Sequence, residues 1–179
     1  MQSQKVKTIA RLGMLFALAM ALSFFESVIT PLLGLMPAMK LGLANIVVMY
    51  ALVFMKRRQA LALVLLKAGF SLFVRGATAG LLSLCGGMLS WAVMCLLLSL
   101  PTPVTGYIFS VCGALAHNIG QLLGAATVLG SAMALGYAPI LLAVGLAVGS
   151  LTWWVARGVF PALKRLYPKE GKGIDKIIF

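Results

Sequence analysis

The chain has 179 residues, of which 62% are hydrophobic and only 10% are charged, whereas an average soluble domain carries about 25% charged residues. So few polar side chains cannot cover a water-soluble globule, and the length leaves no room for a soluble catalytic module beside membrane spans. The formal net charge of +12 would indicate nucleic-acid binding in a soluble protein. Here the basic residues cluster between apolar runs, so we expect no nucleic-acid partner.

Six apolar runs divide the chain, each close to the roughly 20 residues that cross a bilayer as a helix. They cover residues 8–25, 38–55, 59–75, 78–100, 105–130 and 137–160, and a basic tail covers residues 161–179. Proline, glycine or basic residues separate the runs. The sequence therefore predicts an all-α, polytopic membrane protein, a single domain built as a bundle of six transmembrane helices.

The first run follows three basic residues, and Ala19-Met20-Ala21 within it matches the small-residue pattern of a signal-peptidase site. A cleaved signal peptide is therefore one interpretation. We favour an uncleaved first span, because the apolar sequence continues to Phe25 and five further runs follow.

The first run also carries a repeat of small residues. Gly13, Ala17 and Ala21 recur every four residues, so they share one face of a helix. Such faces let helices approach each other closely. Packing within this protein and docking onto another membrane protein both remain open as interpretations.

The connection after the first span, Thr30 to Met39, is almost entirely apolar and carries no charge. With the chain starting in the cytoplasm, this connection faces outward. It is either a connector that lies at the membrane surface or a lid over an outward-facing cavity.

The basic residues predict the orientation, because short cytoplasmic loops are enriched in Lys and Arg. Six spans place twelve of the fifteen on one face: Lys5, Lys7, Arg11, Lys56, Arg57, Arg58, Arg157, Lys164, Arg165, Lys169, Lys172 and Lys176. An odd number of spans would separate the two ends of the chain and break this pattern. We therefore predict that both termini are cytoplasmic and that the surplus charge faces the lipid bilayer surface.

Polar side chains within the hydrocarbon region are costly unless they are paired or solvated, so each is a candidate functional residue. The candidate substrate-binding residues are Glu26, Lys40, Asn45, Lys67, Arg75, His117, Asn118 and Gln121. Glu26 is the only acid outside the C-terminal tail, which excludes a carboxylate pair for acid–base catalysis. Its predicted role is to pair with Lys40, Lys67 or Arg75.

Such a pairing leaves two cations uncompensated, and a cavity with surplus positive charge favours an anionic ligand such as a carboxylate or phosphate. For Lys40 and Arg75 the alternative is that they extend to the outer interface and bind nothing specific. Lys67 lies midway between Gln59 and Arg75, too deep to reach water easily. It is the strongest single candidate for a site residue.

The fifth run carries His117, Asn118 and Gln121, and the first and last of these are four residues apart on one helix face. These side chains either hydrogen-bond neighbouring helices or contact a ligand. With one His and three scattered cysteines, Cys85, Cys95 and Cys112, we expect packing roles for the thiols and no metal site. Without a phosphate-binding loop or an aspartate-rich motif, we expect no cofactor and no enzyme activity.

Three segments carry a family resemblance: PAMKLGLANI at 37–46, SLCGGMLS at 83–90 and GALAHNIGQ at 113–121. They resemble the bacterial membrane family called heptaprenyl diphosphate synthase component I, also known as Gx transporter. The chain is more distantly similar to the S components of energy-coupling factor (ECF) transporters. That second resemblance implies six helices, an outer ligand cavity, an apolar first loop as a lid, and an Ala-xxx-Ala stripe, here Ala17 and Ala21, that docks onto a coupling protein.

The resemblances imply two functions in a bacterial cell membrane. The first is uptake of a small, anionic, vitamin-like or isoprenoid-related solute, together with an ECF coupling protein and separate ATPases. The second is a membrane accessory subunit of isoprenoid or quinone synthesis, which recruits a soluble prenyl synthase through the basic tail from Lys164 to Lys176. A third function would be a role in membrane redox or flavin-export machinery, and no feature of the sequence tests it.

Overall fold

The computed structural model describes residues 2–32, 34, 39–166 and 173–178. Within these residues the protein is a bundle of six α-helices with two short strands. The helices are α1 (Gln2–Leu32), α2 (Asn45–Phe54), α3 (Arg57–Arg75), α4 (Ala77–Leu97), α5 (Gly106–Leu129) and α6 (Ser131–Leu166). Strands β1 (Val104–Thr105) and β2 (Ile177–Ile178) pair in parallel.

Four of the helices in the described part of the chain, α1, α4, α5 and α6, are long and apolar enough to cross a membrane. Helix α2 has ten residues and covers about 15 Å, roughly half of the hydrocarbon core. Helix α3 is 19 residues long but carries four cations. The protein is therefore all-α and membrane-associated, whereas the full count of six spans and the side of each terminus stay predictions.

Helix α2 is shorter than the run predicted over 38–55. The structure begins the helix at Asn45. Residues 39–44 are not helical, and all of them are buried except Leu43, which is partly buried. Gly42 has a φ of +97°, in the left-handed region that favours glycine, so a regular helix cannot pass through it. Irregular backbone at membrane depth is tolerated where protein surrounds it, and this segment is enclosed by the bundle.

The break between the fifth and sixth helices also differs from the predicted one, which separates the runs 105–130 and 137–160. It falls at Gly130, whose φ is +85°, and Pro139 lies inside α6. Proline removes one backbone hydrogen bond but is tolerated within membrane helices. Helix α6 has 36 residues and is about 54 Å long, more than a bilayer core requires.

Glycines bring α4, α5 and α6 into direct backbone contact. A Cβ atom built on Gly120 of α5 would lie 2.5 Å from the carbonyl oxygen of Cys85 in α4. A Cβ on Gly149 of α6 would lie 2.8 Å from Cα of Val111 in α5. These three helices therefore form the most closely packed part of the bundle.

Helix α1 packs along a single face, against α3 and α2. Ala19, Ser23, Glu26 and Thr30 are buried, while the other sides of the helix are largely exposed. The buried residues follow a spacing of three and four, which is that of one helix face. Helix α1 therefore lies at the edge of the bundle.

The two ends of the bundle differ in composition. We call one the basic end: it holds the connections at residues 55–56 and 98–105 and the segment Gly173–Ile178. Arg57 donates to the Ser99 hydroxyl there at 3.0 Å. We call the other the glycine end: it holds residues 39–44 and the connections at Gly76 and Gly130. Glu26 interacts electrostatically with Arg75, so this part of α1 lies near the glycine end. Lys7 is about 28 Å from Glu26 along the same helix and therefore lies toward the basic end.

Substitution of Gly120 tests the contact between α4 and α5. We expect Gly120→Ala to lower the free energy of unfolding by about 1–3 kcal/mol, since the added methyl group overlaps the α4 backbone. Thermal denaturation of the purified protein in detergent measures the change. The control is Gly136→Ala in α6, where an added Cβ meets nothing within 4 Å. Equal melting temperatures for the two variants would contradict the contact.

Candidate solute-binding site

The structure brings seven of the eight predicted polar residues together in one buried group near the glycine end. Each of the seven side chains is at most 6% exposed. We call this group the polar cluster; it consists of Glu26, Lys40, Asn45, Lys67, His117, Asn118 and Gln121. Arg75, the eighth, is half-buried at the end of α3 and interacts electrostatically with Glu26.

Gln121 holds the non-helical segment 39–44 in place. Its Oε1 accepts a hydrogen bond from the backbone N–H of Lys40 at 2.8 Å, and its Nε2 donates to the carbonyl oxygen of Lys40 at 2.7 Å. A buried backbone outside a helix needs such partners, because no water is present to supply them. The first role of Gln121 is therefore structural.

Asn118 ties the same region of α5 to α6. Its Nδ2 donates to the carbonyl oxygen of Leu141 at 2.6 Å, and its Oδ1 lies 3.5 Å from Nε2 of Gln121. Asn118 therefore connects segment 39–44, through Gln121, to the closely packed half of the bundle.

Glu26 fixes the other end of segment 39–44. Its Oε1 accepts a hydrogen bond from the backbone N–H of Ala44 at 3.1 Å. The same carboxylate interacts electrostatically with Lys40, Lys67 and Arg75. One carboxylate thus interacts with three cations, and it also anchors α1 to the start of α2.

The two buried lysines point into the bundle. Nζ of Lys40 donates to the hydroxyl of Ser71, and the hydroxyl of Ser83 lies 3.5 Å from it. Nζ of Lys67 lies 3.5 Å from Oδ1 of Asn45. Because Lys40 is only 3% exposed, the interpretation in which it extends to the outer interface is wrong.

Ser71 and Ser83 belong to this site, although the sequence analysis did not select them. Both are buried, at 1% and 3% exposure. A signal for Ser71 was present, because it lies four residues after Lys67 and four before Arg75, on the same face of α3. Ser83 lies within the SLCGGMLS segment but has no comparable spacing signal.

Two buried nitrogen atoms in the polar cluster have no hydrogen-bond partner within the described part of the protein, Nδ2 of Asn45 and Nδ1 of His117. Both side chains face Gly42, since a Cβ atom built there would lie 3.4 Å from Asn45 Nδ2 and 3.4 Å from His117 Cδ2. Nearly all buried polar atoms in proteins are paired. Two unpaired nitrogen atoms of the polar cluster therefore lie beside a single glycine.

The site carries more positive than negative formal charge. Lys40, Lys67 and Arg75 face a single acid, Glu26. Buried charges are costly unless they are compensated, and an anion would compensate this surplus. The arrangement can therefore bind a carboxylate or a phosphate group.

Three cavities lined by described residues lie away from the polar cluster. They form an apolar groove between α1 and α3, a second between α3 and α4, and a shallow depression on α6. No residue of the polar cluster lines any of these three. Segment 39–44 lies between Glu26 and Gln121, which hold its backbone at Ala44 and at Lys40.

The predicted lid over 30–39 falls largely outside the described residues, which omit residues 33 and 35–38. At its two ends, Thr30 and Met39 are fully buried. The hydroxyl of Thr30 donates to the carbonyl oxygen of Glu26 at 2.6 Å. The connection therefore starts and ends against the polar cluster.

The small-residue stripe faces away from the bundle. Gly13, Ala17 and Ala21 are all exposed, and a Cβ atom on Gly13 would meet nothing within 4 Å. Packing of this stripe within the protein is therefore excluded. Of the two interpretations, docking onto another membrane protein remains.

The cysteines show no clustering with other metal-ligating side chains. The described residues contain no group of three His, Cys, Asp or Glu side chains that could hold a metal ion. Cys95 is buried, and Cys85 and Cys112 are partly buried. The polar cluster itself consists of amine, amide, imidazole and carboxylate groups, and contains no thiol.

Loss of the Gln121 amide tests its structural role. We expect Gln121→Met to lower the free energy of unfolding by about 2–4 kcal/mol, because the N–H and C=O of Lys40 would both lose a buried partner. The control is Gln59→Met, since the Gln59 side chain accepts from the Lys56 backbone at an exposed position. Thermal denaturation measures both, and a loss no greater than that of the control would contradict this role.

Comparison with known protein families gave a match that covers most of the chain. The family model described as "Heptaprenyl diphosphate synthase component I" matches residues 15–159, well over half of the chain. The matched range runs from the middle of α1 to near the end of α6 and contains the whole polar cluster. Searches of curated proteins and of solved structures gave no significant match. The chain therefore belongs to the heptaprenyl diphosphate synthase component I family.

Proposed function

We propose that this chain is a membrane accessory subunit of isoprenoid (heptaprenyl diphosphate) synthesis, with no catalytic residues of its own. The observation that carries this proposal is the family match over residues 15–159, since the family description names one component of a synthase. The chain has only three acids in total, whereas Mg²⁺ bound with phosphate substrates is usually held by carboxylates. A soluble prenyl synthase partner would supply that chemistry.

The basic end is the surface that we propose for this partner. Lys56, Arg57 and Arg58 are exposed there, and Lys164 and Arg165 end the last turn of α6. The distribution of basic residues supports a cytoplasmic position for this end. A soluble subunit with an acidic surface would therefore meet complementary charge.

The polar cluster supports a ligand-binding role within the same proposal. Its surplus of cations suits the anionic head of an isoprenoid-related molecule, such as a diphosphate. The unpaired nitrogens of Asn45 and His117 would add two hydrogen-bonding groups beside Lys67. The ligand would be held by charge and hydrogen bonds alone, without chemistry on the protein.

Uptake of a small anionic solute by an S-component-like subunit is the second candidate function. Two observations favour it: the buried cationic cluster near one end of the bundle, and the exposed stripe of Gly13, Ala17 and Ala21 on α1. In this mechanism the solute binds from outside and segment 39–44 yields to it. The stripe then docks onto a coupling protein, and separate ATPases drive the transport.

Co-purification from the native membrane discriminates between the two functions. A prenyl synthase in the eluate, lost in an Arg57→Glu/Arg58→Glu variant, is the result expected for the accessory subunit. A coupling protein and ATPases, lost in Ala17→Phe, are expected for the uptake subunit. The matched control for the stripe is Leu18→Phe, because Leu18 is also exposed on α1 at 51%. Recovery of neither set of partners from native membranes would count against both functions.

A thermal-shift screen tests the anion site that both functions share. We expect an isoprenoid diphosphate or another anionic metabolite to raise the melting temperature, and Lys67→Met to abolish that shift by removing a buried cation. Lys56→Met, which removes an exposed cation, should leave the shift intact. An unchanged shift in Lys67→Met, or no stabilisation by any anion, would remove the polar cluster from consideration as a binding site.

A further inference from the structure

The C-terminal segment Gly173–Ile178 folds back onto the basic end of the bundle. The N–H of Gly173 donates to the carbonyl oxygen of Val53 at 3.1 Å. Strand β2 pairs with β1, with Ile177 opposite Val104. Asp175 forms an ion pair with Lys164 of α6. The segment therefore contacts the ends of α2 and α6 and the connection between α4 and α5.

The contact with α2 is a close one. A Cβ atom built on Gly173 would lie 2.9 Å from Cα of Val53 and 3.2 Å from the carbonyl oxygen of Leu52. The last carbonyl groups of a helix have no partner within the helix itself. Gly173 supplies one for Val53, so the segment completes the C-terminal end of α2.

The segment also contributes to the apolar core at this end. Ile177 is only 6% exposed and belongs to the same buried cluster as Cys95, Phe54 and Phe160. The next residue, Ile178, is 58% exposed. This alternation is typical of a strand with one buried face. The side chain of Ile177 therefore covers the apolar core at the basic end.

The glycine end is held differently. In the described chain the residues with positive φ are Gly34, Gly42, Gly76 and Gly130, and all four lie at this end. Cβ atoms built on three of them, Gly34, Gly76 and Gly130, would meet nothing within 4 Å. The turns at Gly76 and Gly130 are therefore open, whereas at the basic end the C-terminal segment contacts the end of α2 and the α4–α5 connection.

We propose that Gly173–Ile178 is a latch that keeps the basic end of the bundle closed, so that the bundle opens toward the polar cluster only at the glycine end. The latch joins α2, α6 and the α4–α5 connection, which are separated in sequence. The role of the latch does not depend on which of the two proposed functions is correct. In both, a ligand must reach the polar cluster from one defined end of the bundle.

Cys95 is a native reporter of the latch. It is 8% exposed in the core cluster that Ile177 closes, while Cys85 lies ten residues, about 15 Å, farther along α4 toward the glycine end. The experiment measures the labelling rate of each cysteine by a hydrophilic maleimide, with the full-length protein in lipid nanodiscs and sites assigned by mass spectrometry. The variants are Ile177→Asp and, as the matched control, Ile178→Asp.

We expect Ile177→Asp to raise the labelling rate of Cys95 at least about tenfold, because a buried unpaired charge favours the locally open state. Cys85 should keep its rate, and Ile178→Asp should change neither. If Ile177→Asp does not fold, Gly173→Ala replaces it, with Gly158→Ala as its control, since a Cβ on Gly158 meets nothing within 4 Å.

Two results would overturn the proposal. One is an unchanged Cys95 rate in both Ile177→Asp and Gly173→Ala. The other is an equal rise for Cys95 and Cys85, since that would show general loosening of the bundle rather than opening at the basic end.

Discussion

The arrangement of the glycine end depends on one side chain, the amide of Gln121, which pairs with both the N–H and the C=O of Lys40. Segment 39–44 runs through the interior of a helix bundle, and local hydrogen bonds from α2 reach only the carbonyl groups of its second half, Gly42 to Ala44. The backbone of Lys40 must therefore be satisfied by a side chain. Glu26 supplies a second partner through Ala44. With its backbone held at both places, the segment brings Lys40 into the bundle, where its amine reaches Ser71 and lies near Ser83.

The same constraint divides the polar residues into two groups with different roles. Gln121, Asn118 and, in part, Glu26 hold backbone groups and would be needed even if nothing ever bound. Nδ2 of Asn45 and Nδ1 of His117 have no hydrogen-bond partner in the described chain, and Lys67 has Asn45 Oδ1 at 3.5 Å and an electrostatic interaction with Glu26. These three side chains are the ones that we propose to contact a ligand.

Much of the candidate site could be predicted from the sequence, because a polar residue in an apolar run is conspicuous. Lys67 and His117 stood out for this reason, and both are buried. Ser71 was missed, since a lone serine in a membrane helix is common and only its spacing from Lys67 and Arg75 singles it out. The inward course of Lys40 was not predictable, because the pattern of residues 38–55 is as apolar as that of a helix, and Gly42 alone indicates otherwise.

The sequence by itself determined the class of the protein, because an excess of apolar residues arranged in runs can be satisfied only by lipid and helices. It also determined which residues are chemically unusual, and three of its segments pointed to the family. Only the tertiary structure decided which of these side chains meet, that Gly13, Ala17 and Ala21 face outward, and that the C-terminal segment returns to Val53 and Val104. Those outcomes depend on contacts between residues far apart in the chain, such as Lys40 with Gln121, and no local pattern of hydrophobicity encodes them.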